Sequence, residues 1–177
     1  MTKDDQKSIS KLLSYVLPHN PGALDLSMDP NGWVEVDEII SKSDVVITLE
    51  QVEDIVQSSP KQRFALSLDG SKIRANQGHS FPVDLGLSAC QPPATLFHGT
   101  AQATVKAIMT QGLTPQSRQH VHLSPDARSA RAVGMRHGKP VVPTIASERM
   151  HRAGHLFYLT ENDVWLCKAV PPEFLHQ

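Results

Sequence analysis

Cysteine is nearly absent: Cys90 and Cys167 are the only two in 177 residues, far apart in the chain and without a metal-type spacing. That usage excludes a disulfide framework and points to reduced thiols in a cytoplasmic setting. Long apolar runs are missing too, and nothing approaches the ~20 residues that a membrane-spanning helix requires. The stretch Met1 to Ser8 is polar with charges of both signs, so a secretory leader and a membrane partner are not expected. A dominant charge is also lacking, since the net value is -1. The balance is nonetheless uneven. Residues 1–90 hold 8 Lys and Arg against 13 Asp and Glu, whereas residues 91–177 hold 9 against 5. An acidic first half argues against tight, non-specific nucleic-acid binding and restricts any such surface to a local patch. There is no internal repeat and no low-complexity tract. What is present is a hydrophobic fraction of 40% and a mean hydropathy of -0.26, the profile of a globular chain of one ordinary domain or two small ones.

Periodicity divides the chain. Ile9, Leu12, Leu13 and Val16 follow the i, i+3, i+4, i+7 pattern and predict a helix from about Asp5 to Leu17, stopped by Pro18 and Asn20-Pro21-Gly22. Trp33-Val34 begins a short extended or helix-entry segment, and Val36, Ile39 and Ile40 suit a second short helix. Thr48 with Gln51 forms a capping box for a third, with Leu49, Val52, Ile55 and Val56 on its buried face. Phe64, Leu66 and Leu68 alternate, Asp69-Gly70 turns, and Ile73-Arg74-Ala75 returns as a β-hairpin. Three helices and a hairpin give the element order of a winged-helix module.

Pro82, Gly86 and Pro92-Pro93 then punctuate a connecting stretch, so the expected organisation is a lobe at 1–80, a linker at 81–94 and a second lobe at 95–177. The second lobe alternates short strands (Leu96-Phe97, Val121–Leu123, Val141–Ile145, Phe157–Leu159, Val164–Cys167) with helices. One helix is predicted from Ala101 to Gln111, closed by Gly112; another follows Ser124-Pro125, read as cap and first-turn proline. The fold class is α+β.

Several polar runs could carry chemistry. Phe97-His98-Gly99-Thr100 lies where a strand yields to a helix, a place where glycine admits a ligand and N–H groups favour an anion or a carboxamide oxygen. An ordinary turn with a surface histidine is the competing reading. His120 and His122 share one side of a strand, but a metal needs a third ligand, and Asp126 or His137 could be recruited only by folding; no metal is expected. Arg136, in Met135-Arg136-His137-Gly138-Lys139, can fork two hydrogen bonds to a phosphate, or can simply cap a solvated helix end. Ile73 to Ser80 takes a basic strand residue into a polar Gln-Gly-His-Ser bend.

Lys11 to Leu17, Asn31-Gly32-Trp33, Arg63-Phe64, Ile73 to Ser80, Phe97 to Thr100, Val121 to Ser124, Arg136 to Pro140 and Asn162 to Leu166, in that order, make the chain resemble the RNA 2′-phosphotransferase family, the Tpt1/KptA group. The resemblance implies an N-terminal winged-helix RNA lobe and a C-terminal ADP-ribosyltransferase-like lobe with a split antiparallel sheet. It implies NAD⁺ as a consumed co-substrate, RNA carrying a 2′-phosphate as partner, and a monomer acting in RNA processing, tRNA splicing in some organisms. The implied products are 2′-hydroxyl RNA, nicotinamide and ADP-ribose 1″,2″-cyclic phosphate, formed through ADP-ribosylated RNA. By the same resemblance His19, Arg74 and Arg136 are catalytic. His98, Gly99, Thr100, His122, Ser124, Val164 and Arg136 bind the co-substrate, and His19, Arg74, Gln77 and His79 bind the RNA phosphate. A valine at 164, where protein-modifying relatives carry glutamate, suits a nucleophile that is already anionic.

One departure stands out. The family reads Leu-Arg-His where this chain reads Leu17-Pro18-His19. Proline brings neither charge nor donor, and it disfavours helical geometry at Leu17, which would displace His19. Losing one charge clamp costs on the order of a hundredfold in rate. Two alternatives follow: ADP-ribosyl transfer to a terminal phosphate of a nucleic acid, or a catalytically impaired protein that binds NAD⁺ or RNA.

Overall fold

The computed structural model describes residues 2–177, and the chain divides into two compact units, 1–86 and 87–177. Helices and small antiparallel sheets are mixed in both, an α+β protein.

The first unit begins with α1 (Lys3–Val16), which starts two residues earlier than the apolar spacing predicts because Thr2 and Asp5 form a capping box. Ile9, Leu13 and Val16 are buried along one face. Leu17 is helical (φ -68°, ψ -49°) despite the proline that follows, contrary to the sequence-based expectation. The pre-proline penalty is overcome because the Leu17 N–H donates to Leu13, the His19 N–H donates to Tyr15, and the Pro18 carbonyl accepts from the Ser80 N–H. His19 lies in the turn that follows α1. Next come β1 (Val34–Glu35), α2 (Val36–Lys42), and α3 (Leu49–Ser58), the last capped by the expected Thr48–Gln51 box. β2 (Phe64–Leu66) and β3 (Lys72–Ala75) form the hairpin. It is not a lone pair of strands: β1 joins the other edge of β3, giving the antiparallel order β1-β3-β2 with Val34 opposite Ile73. Leu68 falls outside β2 and is fully exposed in the turn, so its alternation with Phe64 and Leu66 carries no burial. The core gathers Ile9, Leu13, Ile39, Val52, Ile55 and Ile73 from all three helices and the sheet.

The second unit is built from very short strands. In chain order they are β4 (Leu96–Phe97), β5 (Thr100–Ala101), β6 (Val121–Leu123), β7 (Pro140–Val141), β8 (Thr144–Ile145), β9 (Phe157–Leu159), β10 (Trp165–Cys167) and β11 (Leu175–His176). The helices between them are α4 (Gln102–Gln111), α5 (Ala127–Gly134) and α6 (Ser147–Arg152). The strands form two three-stranded sheets, β6-β10-β9 and β11-β8-β4, and a separate β5-β7 pair. An isolated bridge, in which Phe97 and Ser124 exchange N–H···O bonds of 2.9 and 2.8 Å, links β4 to the end of β6.

Two expectations fail here. The run 141–145 is not one strand, because Val142-Pro143 separates β7 from β8 and sends them to different sheets; proline cannot donate to a ladder. The cap of α5 is Asp126, whose carboxylate accepts the Ser129 N–H at 2.7 Å, and not Ser124, whose backbone is taken by the Phe97 bridge. Trp165, Leu123, Cys167, Val121, Leu96, Ile145 and Phe157 make the core.

Candidate active site

In the first unit, the end of α1 and the bend after β3 meet. His19 Nδ1 lies 3.2 Å from Ser80 Oγ. Arg74, on β3, places its Cζ 4.6 Å from the Trp33 ring centroid, a cation–π contact, and one terminal nitrogen reaches the Leu85 carbonyl at 3.4 Å. Trp33 is itself held by a turn in which Asp29 Oδ1 accepts from the N–H groups of Asn31 and Trp33, both at 2.9 Å. Gly32 in that turn has φ +84°, and a Cβ there would sit 3.1 Å from Val83 and 3.4 Å from His79 Nε2. Glycine is required both by the backbone and by the imidazole that packs over it.

His79 is 2% exposed. Burial pushes its pKa down to about 4, with the nearby charges of His19 and Arg74 acting the same way. It is therefore a neutral hydrogen-bonding group at physiological pH and contributes no positive charge. Three buried polar atoms in this region lack a hydrogen-bond partner: Arg74 Nε, Gln77 Oε1 and His79 Nε2. Such atoms are costly when left unpaired, and all three lie along one six-residue stretch.

In the second unit the corresponding groups are already partnered. His98 Nδ1 donates to the His122 carbonyl at 3.2 Å, which fixes the tautomer of a neutral His98 and leaves Nε2 as an acceptor. Burial holds His98 below the ordinary imidazole range; the bond to His122 opposes this, and the neighbouring His137 charge reinforces it. An Arg118 nitrogen donates to His122 Nδ1 at 2.8 Å. Since guanidinium can only donate, a neutral His122 carries its proton on Nε2. One imidazole thus presents an unprotonated Nε2, and the next carries its proton on Nε2.

His122 pairs with Leu166 across the β6–β10 ladder, on the face opposite Leu123 and Trp165 of the core. Extending the register by one residue brings Val164 opposite Ser124 on the His122 face. Partial burial, and then the like charge of Arg136, lower the pKa of Arg118, placing the two guanidinium groups within electrostatic reach. Neither arginine, nor Arg74, takes part in the ion pairs with carboxylates found among the described residues.

Of the residues singled out from sequence, His19, Arg74, Gln77 and His79 gather in the first unit, and His98, His122 and Ser124 gather in the second. Gly99 and Thr100 also have roles in packing. Gly99 is not open to solvent: a Cβ there would lie 1.8 Å from the Ala130 carbonyl oxygen, so glycine is what lets α5 pack on the strand end. The Thr100 hydroxyl bonds Thr104 Oγ1 at 2.7 Å at the start of α4. Arg118 was missed. Its sequence signal was faint, a lone arginine in a Gln-Ser-Arg-Gln loop; only the fold turns it back four residues onto His122. Among the described residues no group of three or more His, Cys, Asp or Glu side chains is arranged to hold a metal.

Guanidinium and imidazole groups of the kind found in each unit are the ones that pair with phosphorylated compounds. The family follows from comparison. A model described as "RNA 2'-phosphotransferase, Tpt1 / KptA family" matches residues 4–169. A protein of Rhodopirellula baltica is 49% identical over 172 residues, covering 95% of this chain and 94% of its own length. One of Nostoc punctiforme is 50% identical over 172 residues, covering 96% and 95%. One of Burkholderia lata is 48% identical over 177 residues, covering 98% and 91%. Each carries the name "Probable RNA 2'-phosphotransferase". The chain belongs to the RNA 2′-phosphotransferase, Tpt1/KptA family.

Proposed function

We propose that this protein is an NAD⁺-dependent RNA 2′-phosphotransferase, in which the first unit is a winged-helix RNA lobe and the second an ADP-ribosyltransferase-like lobe. The net reaction converts RNA 2′-phosphate and NAD⁺ to 2′-hydroxyl RNA, nicotinamide and ADP-ribose 1″,2″-cyclic phosphate. Support for the lobe assignment comes from three helices with a β1-β3-β2 sheet in one unit, and two three-stranded antiparallel sheets joined at a single bridge in the other.

The observation that carries the reading is the set of unpaired buried polar atoms on Arg74, Gln77 and His79 beside His19. A phosphate oxygen satisfies donors on Arg74 and His79, while a ribose hydroxyl satisfies the Gln77 oxygen. Arg74, pinned on Trp33, is already ordered, so little rotamer entropy is lost on binding. His19, at the end of α1, is the group positioned to give a proton to the departing RNA oxygen.

The donor set of the second unit fits NAD⁺. His98 offers an acceptor suited to a ribose hydroxyl or a carboxamide N–H, and Arg118 and Arg136 offer charge to a pyrophosphate. Bound there, NAD⁺ supplies an anomeric carbon from which nicotinamide can leave. Val164, on the His122 face, brings no base, and a phosphate nucleophile needs none. These residues act by holding and charge stabilisation, without a protein nucleophile.

Incubation with NAD⁺ and an oligoribonucleotide bearing one internal 2′-phosphate tests the proposal. The expected products are nicotinamide, cyclic phosphate and dephosphorylated RNA, with Pro18→Arg turning over about a hundredfold faster by restoring a clamp. A phosphate that persists without nicotinamide release contradicts the reading. A stable ADP-ribosylated oligonucleotide would instead establish transfer that stops short of dephosphorylation.

A further inference from the structure

The β6-β10-β9 sheet carries a concavity at the end of the ladder away from Val164. Its volume is ≈ 470 Å³, within the range of small-molecule sites, and His120, His155, Leu156, Tyr158, Cys167 and Lys168 contribute to its walls. His120 and Tyr158 lie with ring centroids 6.0 Å apart, tilted at 60°, and Leu156 is 54% exposed, which together give aromatic and apolar surface. Burial lowers the His120 pKa, favouring the neutral ring. Cys167 is a wall and not a nucleophile, because burial pushes its thiol up to about 12. No Asp or Glu lines the cavity. Lys168 is therefore its one permanent charge, and it makes no ion pair among the described residues.

Ring faces beside an unopposed ammonium, with no carboxylate, suit a ligand that is planar at one end and anionic at the other. A metal ion or an amine finds no counter-charge here. We propose that this cavity binds a nucleoside monophosphate unit, its base against Tyr158 and His120 and its phosphate on Lys168. None of these residues belongs to the sites assigned above, so the inference stands apart from the proposed reaction.

Uridine 5′-monophosphate is the probe, since it lacks the adenine that the His98 region could accept. Titrated into the full chain and followed by amide chemical shifts, it moves the signals of Gly154, Leu156 and Lys168 saturably. Lys168→Ala and Tyr158→Ala each weaken it about tenfold, whereas removing an exposed lysine elsewhere, Lys106→Ala, leaves it unchanged. Unchanged shifts far from the cavity verify that the variants fold. A 2′-hydroxyl pentaribonucleotide separates the sources: weakened in parallel, it places a nucleotide of a strand in the cavity; unaffected while the monophosphate weakens, it leaves the cavity to a free nucleotide. Absence of saturable uridine monophosphate binding, or an equal loss with Lys106→Ala, overturns the proposal.

Discussion

The two units treat their polar side chains in opposite ways. Around β3 of the first unit, Arg74, Gln77 and His79 bury polar atoms that nothing in the protein satisfies. Around β4 and β6 of the second, His98 bonds the His122 carbonyl, Arg118 bonds His122, and Thr100 bonds Thr104. One region leaves polar atoms without a hydrogen-bond partner; the other has its side chains already bonded. The proposed function accounts for the contrast: a phosphate would bring acceptors for the unpaired Arg74 and His79 nitrogens, whereas a dinucleotide with many weak contacts would gain most from a site that is already ordered.

The rigidity of the second unit can be broken at one atom. Gly99→Ala sets a methyl 1.8 Å from the Ala130 carbonyl and forces α5 off the strand end. The expected loss is about 3 kcal/mol or more, read as a drop in the denaturant midpoint of that unit. An alanine variant of unchanged stability would mean that the close packing is not a constraint.

The first unit has a different weakness, which depends on pH. His79 titrates near 6.5 when unfolded and at about 4 when folded. Above pH 6.5 both states are neutral and the stability is complete. As pH falls from 6.5 towards 4, the unfolded chain takes a proton that the folded one refuses, and up to roughly 3 kcal/mol is lost. Comparing His79→Gln with the parent chain across that window isolates the effect: the parent should lose more stability on acidification. Parallel curves would show that His79 is not held neutral.

Much of the first unit was legible because its signals are local. The i, i+3, i+4 spacing of Ile9 to Val16, the Thr48–Gln51 cap and the Asp69-Gly70 turn each act within a few residues, and each element formed. Residues read together as one bend, Arg74 to His79, stay together because the chain between them is short. The second unit was harder. Strands of two or three residues hold too few positions to show alternation, so β5 and β11 gave no signal and Val142-Pro143 split one apparent strand into two. Arg118 was illegible for the same reason that His98 was only partly so: what defines each is a contact, with His122 in both cases, that exists only after β4, β6 and the preceding loop have come together. Pro18 teaches the reverse lesson. A local rule predicted non-helical geometry at Leu17, and three backbone hydrogen bonds outweighed it.

The division of labour between the units is most directly tested by measuring both ligands on the same variants. Arg74→Ala should weaken binding of a 2′-phosphorylated oligoribonucleotide about a hundredfold while leaving NAD⁺ affinity unchanged, and His98→Ala should do the converse with a smaller factor, about tenfold. If Arg74→Ala lowers the affinity for NAD⁺ as much as that for the RNA phosphate, or lowers neither, the first unit does not hold the phosphate and the account is wrong.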